Sequence, residues 1–157
     1  MVHPLIGVHA ALGEIAGILF VWIFAEILNP TEKRLKRAQK LALVGSLFFV
    51  LSWITGGYYY VKYYGTSVKA LIKEGPSPWA HSIIMETKEH IFLLLPFIAI
   101  FTYLLIKYYS KDIIKNKSLK KATLLLCLLT FLISMSMAFM GYLISTAARL
   151  ALEVKVL

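Results

Sequence analysis

Four long apolar runs, each set off from the next by a short polar or basic stretch, leave this chain few ways to fold. A helix crosses the hydrocarbon core of a bilayer in about 20 residues. The runs Leu5 to Leu28, Leu41 to Val61, Trp79 to Tyr109 and Leu119 to Leu150 all reach that length. They predict an all-α integral membrane protein, a single domain over residues 1–157 folded as an up-and-down four-helix bundle. The four transmembrane helices are placed at Pro4 to Asn29, Leu41 to Lys62, Trp79 to Tyr109 and Leu119 to Leu150. A chain that is 59% hydrophobic and only 16% charged is too apolar for an ordinary soluble domain.

Local signals set the boundaries. Pro4 suits a first helical turn, and Asn29 followed by Pro30 stops the first helix. No basic stretch precedes that helix and it is longer than a signal-peptide core, so it is read as retained. Tyr58, Tyr59, Tyr60, Tyr63 and Tyr64 crowd the end of the second span, as tyrosines do where a membrane meets water. A polar loop, GTSVKALIKEGPSP, with room for a short surface helix, resets the chain direction at Gly75, Pro76 and Pro78. Pro96 lies within the third span and predicts a kink beyond His90. The lone Cys127 sits in an apolar run and reads as a packing residue.

The net charge of +9 is not spread along the chain. The first connection holds Lys33, Arg34, Lys36, Arg37 and Lys40, and the third holds Lys107, Lys111, Lys115, Lys117, Lys120 and Lys121. Basic clusters beside membrane spans mark the cytoplasmic side, which disfavours nucleic acid as a partner and places both termini on the non-cytoplasmic side. Glu26, close to the first cluster, is expected to form an ion pair with it.

Chemistry concentrates in WAHSIIMETKEHIF, from Trp79 to Phe92, at the mouth of the third span. Ionisable groups there are costly and therefore informative. Glu86 and His90 lie on one helical face and His81 roughly opposite. Lys88 is expected to snorkel to the interface. On the first helix, His9, Ala10, Gly13, Glu14, Gly17, Phe20 and Phe24 form the inward face, while Leu12, Ile15, Ile18, Leu19, Trp22 and Ile23 face lipid. Gly45, Phe49, Ser52, Gly56 and Tyr63 line the second helix, and Cys127, Thr130, Ser134, Met137, Ala138, Gly141, Ser145 and Ala148 line the fourth.

Depth connects these faces. His9 is 20 residues from Asn29 and His90 is 19 residues from Tyr109, which puts both about 30 Å from the cytoplasmic ends. Two inward histidines at one level suit a b-type haem, with His9 and His90 as axial ligands and Gly13, Gly56, Met137 and Gly141 beside it. Met137 could replace one histidine as ligand, and Lys88, Arg149 or His81 could meet the propionates. His3 and His81 read as interfacial. An alternative is a non-haem iron or zinc site drawing on Glu14, Glu86 and Glu89 with the histidines. A third reading needs no cofactor: carboxylates pair with Lys88 or Arg149 in an accessory or assembly subunit, or along a proton pathway. No serine-histidine-aspartate order, phosphate loop or CxxC pattern is present, so hydrolytic and nucleotide chemistry are disfavoured.

In size, topology and inward histidines the chain resembles the small four-helix integral membrane b-type cytochromes. Glu89 to Ile100, EHIFLLLPFIAI, is also similar to the histidine-then-proline third helix of the YozB-like membrane proteins associated with assembly of haem-copper oxidases. The resemblance implies haem b, electron transfer and a place beside the subunits of a respiratory or redox complex. Whether a quinone is a further partner, near Trp79 and His81, is left open by the residues.

Overall fold

The computed structural model describes residues 3–156, which are helical almost throughout, with no strand among the described residues. Helix α1 spans Pro4–Leu28 and is capped by His3, whose Nδ1 accepts the Leu5 N–H at 3.2 Å. Helix α2 spans Glu32–Tyr59, its first turn capped by the Thr31 hydroxyl. The chain continues from α2 without a break through a π-helical stretch, Tyr60–Val68, into the short α3, Lys69–Glu74. A second π-helical stretch, Ala80–Met85, leads into α4, Glu86–Ile91, and then α5, Leu94–Lys115. Helix α6, Lys117–Val156, completes the chain.

These elements make four rods, Pro4–Leu28, Glu32–Glu74, Ala80–Lys115 and Lys117–Lys155, each long and apolar enough to cross a membrane. The basic connections and most of the polar loop after Tyr64, read as links between spans, are instead helical. Only Asn116 separates the last two rods, and its Oδ1 accepts the Ser118 and Leu119 N–H groups. The expected kink before Pro96 comes as a break at Phe92 and Leu93. Pro96 has no N–H for the Phe92 carbonyl, which accepts the Leu95 N–H at 3.2 Å instead. A second irregularity, at Tyr109, falls where the sequence placed the end of the third span.

The first rod packs on the second and fourth, and so does the third, which puts α1 and α5 on a diagonal. Phe20, Ile23 and Ile27 of α1 meet Leu35, Ala38, Ala42 and Phe49 of α2, Ala99 and Ile106 of α5, and Cys127 and Met137 of α6. Small residues allow close approach: a Cβ on Gly17 would fall 2.5 Å from the Ser134 hydroxyl oxygen. The packed face of α1 runs Ala16, Phe20, Ile23, Ile27, turned by about 60° from the expected face at 100° per residue. Ile23 therefore lies inside the bundle, and Glu14 is exposed rather than inward. Outside, large apolar side chains such as Ile18, Ile54, Phe97 and Leu132 stand uncovered on every rod.

One end of the bundle is tied by charge. The Glu26 carboxylate, 5% exposed, accepts Nε of Arg34 and of Arg37, each at 2.9 Å, and the Trp22 indole N–H at 3.2 Å. This is the ion pair expected of Glu26, doubled. Nζ of Lys120 donates to the Leu28 carbonyl at 3.1 Å and so tethers the fourth rod to the end of the first.

Candidate functional site

At the opposite end, both π-helical stretches carry polar side chains into the interior. In the second rod the wide turns begin just after Gly56 and Gly57, whose carbonyls share the Tyr60 N–H. By Lys69 the bonding has become i to i−5, with its N–H on the Tyr64 carbonyl. Each such turn holds more residues than an α turn and advances the phase of the helix. Tyr64 therefore takes the inward position that ordinary α spacing gives to Tyr63. Tyr64 is 2% exposed, whereas Tyr63 is outside and lies against His3.

In the third rod the wide turns of Ala80–Met85 bring His81 inward, leaving it 3% exposed. Its Nδ1 lies 3.0 Å from the Tyr64 hydroxyl, and its Nε2 lies 3.6 Å from Oε1 of Glu86, ion-pair range but longer than a hydrogen bond. With the ring proton on Nε2, facing the carboxylate, Nδ1 accepts from the tyrosine. Tyr60 stacks on Tyr64, ring centroids 5.3 Å apart, and lies beside Glu89. Both carboxylates of the ETKEH segment, Glu86 and Glu89, thus sit beside the tyrosine pair.

His9 belongs to the neighbouring contact between the first two rods. Its Nδ1 is 2.8 Å from the Ser52 carbonyl, while the Ser52 hydroxyl donates to the His9 carbonyl, also at 2.8 Å. The ring proton is therefore on Nδ1, which leaves Nε2 as the acceptor nitrogen. Lys88 does not snorkel outward as expected. Its amine reaches into the bundle beside His9 and lies 3.0 Å from the position a Cβ on Gly141 would take.

His90, read from the sequence as an inward ligand, is exposed, and its Nδ1 donates to the Glu86 carbonyl one turn back at 2.6 Å. The α-helical wheel had correctly set His81 and His90 on opposite faces, but the inward one is His81. Glycines taken as room for a macrocycle are occupied by the chain itself: the His9 ring fills the space at Gly56, Lys88 that at Gly141, and Ser52 that at Gly13. Met137 packs in the apolar core. His9 and His90, one between α1 and α2 and the other on an outer face, do not fit the two-sided axial ligation of one haem iron. No group of three or more histidine, cysteine, aspartate or glutamate side chains able to hold a metal ion forms among the described residues. Of the carboxylates considered for such a site, Glu86 and Glu89 come together around Tyr60 and Tyr64, while exposed Glu14 stands apart.

The site that the structure assembles is thus Tyr60, Tyr64, His81, Glu86, Lys88 and Glu89, with His9 and Ser52 alongside. Tyr60, Tyr64 and Ser52 were not singled out in the sequence for chemistry; the Gly56-Gly57 pair just before the tyrosine run is the one local signal that the helix changes there. No family model, curated protein or solved structure matches the chain.

Proposed function

We propose that the chain is an integral membrane protein that exchanges protons between its outer surface and the interior of its helical bundle through its own side chains. Support for the membrane setting is the uncovered apolar surface: the most apolar window of each rod is no more than 33% buried. Soluble monomers rarely expose contiguous apolar surface on that scale. The concentration of lysine and arginine in the first and third connections supports an orientation with both termini, and the Tyr64 to His81 cluster, on the non-cytoplasmic side.

One observation carries the proton reading. His81 is buried and touches a different proton-bearing group with each ring nitrogen, the buried Tyr64 hydroxyl on one side and Glu86 on the other. The side chain of Glu86 is 46% exposed, so the three groups run from the surface to the interior. An imidazole that accepts at one nitrogen while releasing at the other is suited to such a relay. The hydroxyls of Ser46, Thr102, Thr123 and Thr130, deeper in the bundle, each bond a carbonyl of their own helix one turn back. The polar chain therefore belongs to one end, and the reading is of a subunit that loads and unloads protons there.

Infrared difference spectra between acid and base, taken on the protein in lipid, test this. Imidazole, carboxyl and tyrosine bands should change together in the wild type, and the tyrosine change should vanish in His81→Phe. Tyrosine bands that titrate unaltered without His81 would overturn the relay. So would a porphyrin absorption band in the purified protein that is lost in His9→Ala.

A further inference from the structure

The end of the bundle that carries the first and third connections holds a surplus of positive charge that the chain itself does not meet. Arg34 and Arg37 are taken up by Glu26, and the Lys120 amine by the Leu28 carbonyl. The other lysines there, Lys36, Lys40, Lys107, Lys111, Lys117 and Lys121 among them, are exposed and form no ion pair among the described residues. Only Glu32 and Asp112 are exposed acids on the same stretches. Lys36 and Lys40, like Lys117 and Lys121, stand one turn apart on a helix, a spacing at which like charges repel. A rigid helix cannot spread them as a loop would, so relief must come from a counter-charge outside the chain.

The position of these lysines says where that counter-charge lies. On α2 the exposed stripe Ile54, Leu51 and Leu47 runs on at helical spacing into Lys40 and Lys36. On α6 the stripe Leu132, Leu128 and Leu125 runs on into Lys121 and Lys117 in the same way. On α5, Lys107 follows exposed Ile100 and Leu104, with its Nζ 5.6 Å and 5.2 Å from the ring centroids of Tyr103 and Tyr108. Each face that meets acyl chains thus ends in lysine, beside aromatic rings of the kind that settle among headgroups. Depth agrees with this. Arg37 is held level with Glu26, so Lys40, nearly a turn back toward the middle of the bundle, comes close to the level of Trp22. A soluble acidic protein would meet the tip of the bundle, whereas Lys40, Lys107 and Lys121 stand around its side, at the depth of the lipid phosphates.

We propose that this end of the bundle gathers anionic phospholipids, of the phosphatidylglycerol class, with their phosphodiesters against Lys40, Lys107 and Lys121 and their acyl chains along the apolar stripes above. The proposal rests on the membrane setting above but not on the relay.

The test uses the full chain in nanodiscs of phosphatidylcholine and phosphatidylglycerol, with one lipid or the other brominated near the ester end of its acyl chains. Trp53→Phe and Trp79→Phe leave Trp22 as the only indole, at the lysine-rich end; Trp22→Phe and Trp53→Phe leave Trp79, at the opposite end. Quenching at Trp22 should show a preference of about fivefold for phosphatidylglycerol over phosphatidylcholine, the attraction of about one lysine to an anionic surface. Trp79 should show none. The preference should shrink as salt is raised from about 0.05 M to about 0.5 M. Lys40→Gln with Lys121→Gln should abolish it, while Lys62→Gln with Lys73→Gln, at the opposite end, and His81→Phe should leave it unchanged. All four glutamine substitutions fall on exposed helical positions and keep the helix propensity of lysine, so a lost preference cannot be put down to misfolding. Equal quenching of Trp22 by the two lipids would overturn the proposal and assign the lysines to a soluble acidic partner. A preference as large at Trp79, one that survives Lys40→Gln with Lys121→Gln, or one removed by millimolar inorganic phosphate would overturn it too. Absence of quenching by both lipids at both tryptophans would overturn the membrane setting with it, which sets that failure apart from the others.

Discussion

The imidazole of His9 occupies the place a side chain on Gly56 would take: a Cβ there would fall 2.6 Å from Nδ1 and 2.7 Å from Cε1. The histidine is therefore part of the packing between the first two rods as well as a polar group within it. Around a Cβ at the next residue, Gly57, nothing lies within 4 Å.

These two glycines make a matched pair for mutation. Gly56→Ala must displace the His9 ring and break its bond to the Ser52 carbonyl, a cost of about 1–3 kcal/mol as overpacking. Gly57→Ala meets no obstacle and gains helix propensity, up to about 1 kcal/mol. Unfolding of the two variants in mixed micelles should move in opposite directions. Equal behaviour would mean that the His9 ring is not seated at Gly56.

A second prediction concerns Glu26. Glu26→Gln leaves the guanidiniums of Arg34 and Arg37 facing each other without their shared counter-charge, and should cost about 3 kcal/mol. That is the low end for a broken buried pair, because the two arginine side chains are 34% and 47% exposed. Arg37→Met should cost less, since Arg34 still holds the carboxylate. Denaturant titration of the three proteins gives the ranking, and a neutral Glu26→Gln would contradict it.

Much of this architecture was legible in the chain. Four long apolar runs, Pro4 at a helix start, Asn29 and Pro30 at a stop, and Glu26 beside a basic connection all act locally, and all appear in the structure, although the helices that carry the runs reach past the expected ends, the second from Glu32 to Glu74 rather than from Leu41 to Lys62. The site was legible only as a segment. His90 was put inside because its depth matches that of His9 and it shares a face with Glu86, and neither argument says which face of the third rod meets its neighbours; the structure turns the opposite face, that of His81, inward. In the second rod the wide turns themselves exchanged Tyr63 for Tyr64. Wide turns have no reliable residue signature, since tertiary packing decides whether the extra residue is accommodated. Glu14 was misplaced for another reason: the wheel of α1 is apolar nearly all round, so its polarity barely distinguishes one face from another.

The orientation proposed for the bundle leads to a labelling prediction. Ser67 and Ser118 are both exposed, one near each end, and Cys127 is fully buried. With Cys127→Ser as background, Ser67→Cys should react from outside intact cells with a membrane-impermeant thiol reagent, and Ser118→Cys should react only after the membrane is opened. The reverse pattern would turn the protein over and put the ionisable cluster on the cytoplasmic side.

The hydrogen bond between Tyr64 and His81 joins residues from two rods at the point where each has left the α-helical register, so it tests the local fold and the site at once. Tyr64→Phe removes the donor to Nδ1 while keeping the ring that stacks on Tyr60, and should cost about 1–2 kcal/mol, the range for a buried group left unpaired. His81→Phe strands the same hydroxyl and should cost a similar amount. In the double variant no orphaned group remains between them, so the two losses should fall short of additive by about 1 kcal/mol. Tyr63→Phe is the control: its ring is partly exposed and its hydroxyl makes no bond to His81, so stability should hardly change. Ordinary α-helical spacing through the tyrosine run would reverse the result, with Tyr63→Phe costly, Tyr64→Phe neutral and no coupling between Tyr64 and His81. Equilibrium unfolding of these four variants and the wild type in one lipid mixture decides between the two registers.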